Sequence, residues 1–98
     1  MLIDIMPAAA KPTDPVWTTS IMTSELGGLI KCQTRAYHRV KAGGSPTAIL
    51  GNAYIELAGL ITQCRVLAEQ MNWKWADLQR DGEEQFRDMM KVITEKGL

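Results

Sequence analysis

Between Asn52 and Met71 the chain reads NAYIELAGLITQCRVLAEQM. Ile49, Ala53, Leu57, Leu60, Cys64, Leu67 and Met71 recur at the spacing of one helical face and fill a wide apolar arc. Glu56 falls at the edge of that arc, beside Asn52, Gln63 and Gln70. A carboxylate next to a core needs a cation, a metal or hydrogen-bond donors. The plainer reading is a half-exposed Glu on a good helix.

The pattern predicts a helix on either side of this one. Asp14 and Pro15 make an N-cap and a first helical residue. Met22, Leu26, Leu29, Ile30, Ala36, Tyr37 and Val40 then form a narrow apolar stripe, with Lys31, Arg35, His38 and Arg39 opposite. Ala42-Gly43-Gly44 breaks this first helix near Lys41. Gly27 and Gly28 lie inside it, each about 1 kcal/mol worse than Ala, and close approach of another helix is the plain reason for them. Ser45-Pro46 restarts the chain, and Asn72 stops the central helix. A third helix begins near Trp73 and ends at Lys96. Trp75, Leu78, Phe86, Met89, Val92 and Ile93 form its stripe, Gly82 interrupts it and Gly97 lies just past its end. No strand-type alternation or internal repeat is visible. The expected fold is all-α: an antiparallel helical hairpin with a third helix laid across it. Residues 1–13, with Pro7 and Pro12, read as an extended N-terminal arm. Residues 14–98 read as one helical domain.

Composition narrows the function. The chain has 98 residues, enough for one domain with a modest core. Eleven basic residues balance eleven acidic ones, so no global field draws DNA, RNA or an anionic membrane. Cys32 and Cys64 sit in helical patterns and read as buried thiols of a reducing compartment, although one inter-helix bridge stays open. His38 is the single histidine and has no acidic or nucleophilic neighbour. The start MLIDIMPAAA lacks a basic region and is broken by Pro7, unlike a signal peptide, and no apolar run reaches the roughly 18 residues of a membrane span. A cytoplasmic location is expected. The apolar arc of the central helix exceeds what two neighbours cover, so a homodimer or tetramer is expected. A monomer covered by its own N-terminal arm is the alternative.

Two carboxylates hold matching places. Ser24-Glu25-Leu26-Gly27-Gly28-Leu29-Ile30 rhymes with Ile55-Glu56-Leu57-Ala58-Gly59-Leu60-Ile61. Glu25 and Glu56 lie at similar distances from the Gly43-Gly44 turn, so an antiparallel hairpin brings them together. Carboxylates on adjacent helices are how helical bundles make Mg²⁺ sites.

At these residues the chain resembles the MazG-like all-α nucleotide pyrophosphohydrolases, over roughly Trp17 to Met90. That family carries Glu-x-x-Glu on one helix and Glu-x-x-Asp on the next. Glu25-Leu26-Gly27-Gly28 and Glu56-Leu57-Ala58-Gly59 match each motif at its first position. Trp75-Ala76-Asp77-Leu78 with Gly82-Glu83-Glu84-Gln85-Phe86 is similar to the following helix of phage-type members. The resemblance implies a helical bundle completed by oligomerisation. It also implies Mg²⁺ that activates water against the α–β linkage of a nucleoside triphosphate. The departure is that Gly28 and Gly59 stand where the family has its second carboxylates. The family's helix before the first motif is also absent or shortened to residues 1–13.

Three readings follow. In the first, a catalytically degraded relative binds a nucleotide or a protein partner without hydrolysis. Glu25 and Glu56 then keep at most a weak Mg²⁺, and Lys31, Arg35, Arg39 and Lys41 meet the phosphates. In the second, a working pyrophosphohydrolase draws its missing ligands from Asp77, Asp81 or a neighbouring subunit. In the third, only a structural or interaction module survives. The basic stripe reads equally as a solvated helix face, and Trp17, Trp73 and Trp75 as core or interface anchors.

Overall fold

A computed structural model describes residues 2–5 and 14–97. They form a short 3₁₀ turn, Leu2–Ile5, and three helices: α1 (Pro15–Lys41), α2 (Thr47–Gln70) and α3 (Trp75–Lys96). No strand occurs among the described residues.

The helix ends follow from local chemistry. Asp14 Oδ1 accepts the Trp17 N–H at 2.9 Å, and Pro15 fills a first position that needs no donor. α1 stops in a glycine-closed turn: Gly43 takes φ +84°, and Gly44 N–H returns to the Arg39 carbonyl at 2.9 Å. Asn72 (φ 58°) does the same after α2, with Trp73 N–H on the Ala68 carbonyl at 2.8 Å. Pro46 occupies the N-cap of α2, one residue later than expected, while Ser45 Oγ accepts the Thr47 N–H at 3.3 Å. α3 runs unbroken through Gly82 and ends on left-handed Gly97.

α1 and α2 pack together as an antiparallel pair. Near its open end, Thr18 is fully buried and donates Oγ1–H to Gln70 Oε1 at 2.6 Å. The inward face of α1 keeps Met22, Leu29 and Ala36 of the expected stripe and departs from the rest of it. Met22, Glu25, Gly28, Leu29, Cys32 and Ala36 turn toward α2, while Leu26, Ile30, Tyr37 and Val40 stay exposed. The physical reason is size. Gly28 and Ala36 let the helix axes approach, which the large side chains on the other face would prevent. Gly27 borders open space, so only Gly28 of that pair serves the close approach.

α3 is not laid across the hairpin. It packs along neither α1 nor α2, and Arg65 of α2 lies over the Trp75 ring at 5.5 Å. The start of the chain does dock. Leu2–Ile5 lies against α2, and Leu2 N–H donates to Glu69 Oε1 at 3.1 Å. Residues 1–13 are therefore not the expected extended arm in their described part, where Leu2–Ile5 takes a 3₁₀ turn; residues 6–13 of that arm lie outside the described residues.

Much apolar surface stays open as a result. The chain exposes 7379 Å², whereas a compact monomer of this mass exposes about 5,600 Å². Its radius of gyration is 17.2 Å, against about 12.6 Å for a compact domain of this length. No helix among the described residues is long and apolar enough to cross a membrane.

Candidate functional site

The hairpin register sets each carboxylate over the glycine of the opposite motif. A Cβ added at Gly28 would lie 2.7 Å from Cδ of Glu56. A Cβ added at Gly59 would lie 2.9 Å from Cδ of Glu25 and closer still to its Oε2. The arrangement is reciprocal because both motifs space Glu and Gly by three residues, one helical turn. Each glycine is therefore a seat that the opposite carboxylate fills.

The surroundings are acceptor-rich. Glu25 is half-buried, and its Oε2 is buried without a hydrogen-bond partner. Gln63, one turn beyond Gly59 on the same face of α2, also has a buried, unpartnered Oε1. Burial first, and then the negative charge of Glu56, raise the pKa of Glu25. Burial and the Glu25 charge likewise raise the pKa of the Cys64 thiol, partly opposed by its backbone hydrogen bond. Cys32 and Cys64 are both free thiols on the facing sides of the two helices.

A raised carboxylate pKa in the folded state has a definite sign. Stability from this group is fully present below the ordinary carboxylate pKa and is lost as pH rises through the folded value. In metal-free buffer Glu25→Gln is expected to match the wild type near pH 4 and to exceed it at pH 7. Urea unfolding of both chains across that range checks this. A difference independent of pH contradicts it.

The donor set suits a hard cation. The orphaned Oε2 of Glu25 and the adjacent Glu56 carboxylate are oxygen ligands of the kind Mg²⁺ takes, and one or two carboxylates suffice when phosphates complete the shell. Among the described residues, no three His, Cys, Asp or Glu are gathered closely enough to hold a metal by themselves. Asp77 and Asp81 do not join the pair. Arg80 engages both, at 3.4 and 3.1 Å, beside a cleft lined by Asn72, Trp73, Lys74 and Leu78.

The four basic candidates separate. Arg35 and Arg39 line one cleft at the turn end of the hairpin, together with His38, Ala42 and Ile49. Lys41 instead sits over the Tyr37 ring at 5.2 Å, and Lys31 is exposed outside that cleft. His38 meets Tyr37 edge-on, ring centroids 5.5 Å apart. Trp17 and Trp73 remain partly exposed, without a ring-stacking partner among the described residues.

Sequence reasoning missed Thr18 and its bond to Gln70. A threonine surrounded by Trp17, Thr19 and Ser20 carries no periodic signal that marks it as the buried one. Comparison with protein-family models, with curated proteins and with solved structures returns no match to this chain.

Proposed function

We propose that this chain is a MazG-like nucleotide-binding protein whose hydrolytic metal cage is reduced to one carboxylate per helix. It works as a homodimer or tetramer and does not cleave its nucleotide. The observation that carries this reading is the reciprocal seating of Glu25 over Gly59 and Glu56 over Gly28. The space that inner ligands would need is taken by the outer ones. Glu25 and Glu56 would hold Mg²⁺ with help from nucleotide phosphates, and the ion would supply positive charge against them. A pair of metals, one for the nucleophile and one for the leaving group, needs more ligands than this site presents.

A protein partner is the second reading. It is favoured by the apolar faces left open on α1, α2 and α3, where Tyr54 is 75% and Phe86 58% exposed.

A thermal-shift panel of nucleoside triphosphates with Mg²⁺ tests the nucleotide reading. Ligand at 100 times its dissociation constant stabilises by about 2.7 kcal/mol, or roughly ten degrees or more in a chain of this size. The expected result is such a rise with at least one triphosphate, removed by Glu56→Ala. No rise with any triphosphate contradicts the reading and leaves the protein-partner function in its place.

A further inference from the structure

We propose a second site, apart from the carboxylate pair: the cleft at the turn end of the hairpin binds the phosphoryl group of a small molecule of mononucleotide size, without a metal. The charge pattern comes first. From Leu26 to Ile55 the sequence holds no Asp or Glu, while Lys31, Arg35, Arg39 and Lys41 all fall within it. This end of the hairpin is basic although the whole chain is neutral.

The structure turns part of that stretch into a cavity. Arg35, His38 and Arg39 line an open cleft of about 510 Å³, floored by Ala42 and Ile49. Ligand pockets run from about 300 to 1,000 Å³. This one is shallow, with every lining residue but Ile49 exposed, so it offers room for a phosphoryl group whose attached body stays partly in solvent. Arg35 and Arg39 stand four residues apart and present their guanidinium groups on one helix face. Neither forms an ion pair among the described residues; the arginines that do, Arg80 and Arg87, lie on α3.

The placement of Arg39 is built in. Its aliphatic stem crosses Gly44, where an added Cβ would lie 2.5 Å from Cδ and 3.2 Å from Cγ. A side chain at position 44 would push that stem aside. Arginine forks suit phosphate oxygens, and Ala42 with Ile49 offers an apolar surface to whatever the phosphate carries.

The two sites do not compete. Arg35 lies ten residues along α1 from Glu25, about 15 Å at 1.5 Å per residue. That exceeds the screening length of about 8 Å at physiological salt, so the carboxylates do not repel an anion held in the cleft. Cations near the end of α1 also complement its helix dipole, and a solvated face would satisfy that need alone. A polyanion is disfavoured, because Lys31 and Lys41 lie off the cleft and α3 presents Asp77, Asp81, Glu83, Glu84 and Asp88 in its first four turns.

Isothermal titration in chelator-containing buffer tests the site with inorganic pyrophosphate, a nucleoside 5′-monophosphate and a single-stranded oligonucleotide. The expected result is saturable binding of the two small ligands, one per chain. Arg35→Ala and Arg39→Ala should each lower affinity about tenfold or more. Gly44→Ala should weaken binding several-fold while leaving far-UV circular dichroism unchanged, and Lys91→Ala should leave binding as it is. Absence of saturable pyrophosphate heat at millimolar concentration overturns the proposal. So does unchanged affinity in the Arg35→Ala/Arg39→Ala chain, or an oligonucleotide that binds more tightly than either small ligand. Because the chelator removes Mg²⁺, these outcomes leave the triphosphate reading at the carboxylate pair to its own test.

Discussion

Gly28→Glu combined with Gly59→Asp will strongly destabilise the helical pair in metal-free buffer. Both new side chains enter volume already held by a carboxylate, since the first added atom would lie within 2.7 Å of Glu56 Cδ and 2.9 Å of Glu25 Cδ. Overpacking costs about 1–3 kcal/mol at each position. Four carboxylates in one half-buried place add mutual repulsion, on a carboxylate whose pKa burial and Glu56 already raise. A chain of this size has only about 5–15 kcal/mol in total, so the expected loss is a large share of it. Mn²⁺ or Mg²⁺ should recover part of the loss, because a cation that binds the folded state stabilises it by mass action. Thermal melts of the double variant with and without metal measure both effects. A metal-free double variant as stable as the wild type would show that the seats are open.

Sedimentation at micromolar concentration is expected to report a dimer or larger, and Phe86→Asp is expected to break it. The described chain exposes about 1,800 Å² more than a compact monomer of its mass. A standard interface takes about 800 Å² from each partner, so the surplus exceeds one such contact. α3 carries an open apolar face: Phe86, Met89 and Val92 are all about half exposed, and the helix packs along no other among the described residues. In a monomer, Asp at a position as exposed as Phe86 would change stability by only about 0.5 kcal/mol. At the centre of an interface the loss of a Phe is typically several times that, as in a core, about 3–5 kcal/mol. The expected outcome is therefore a shift to monomer with loss of helical signal. A wild-type chain that sediments as a monomer, with a neutral Phe86→Asp variant, would contradict the account of the open surface.

The ends of the helices were legible because each rests on a few adjacent residues. Asp14-Pro15, Ala42-Gly43-Gly44 and Gly97 act locally, whatever the rest of the chain does. The nearness of Glu25 to Glu56 was also legible, through two rhyming heptapeptides on either side of one turn. The register that sets each carboxylate over the opposite glycine was not, because it depends on how closely the two helices approach. Nor was the orientation of α1. Leu26, Ile30, Tyr37 and Val40 are large apolar residues at helical spacing, so periodicity assigns them to the core. Helix packing keeps Met22, Leu29 and Ala36 of that stripe and adds Gly28 and Cys32, where the backbones come close. A helix with two apolar faces has no single direction for a periodicity argument to find. The position of α3 was illegible for a related reason: its apolar stripe states that something covers it, but not that the covering element belongs to the same chain. For the basic stripe, spacing placed Arg35 and Arg39 on one face. Only the folded cleft, which Arg35 and Arg39 line, separates them from Lys31 and Lys41.

We propose that two carboxylates seated on opposing glycines leave a nucleotide site without hydrolytic competence. Product analysis after incubation of the chain with Mg²⁺ or Mn²⁺ and a panel of nucleoside triphosphates tests it most directly. The expected result is triphosphate recovered intact, under conditions where binding is detected. Formation of nucleoside monophosphate and pyrophosphate, abolished by Glu56→Ala, would contradict it and make the chain a working pyrophosphohydrolase.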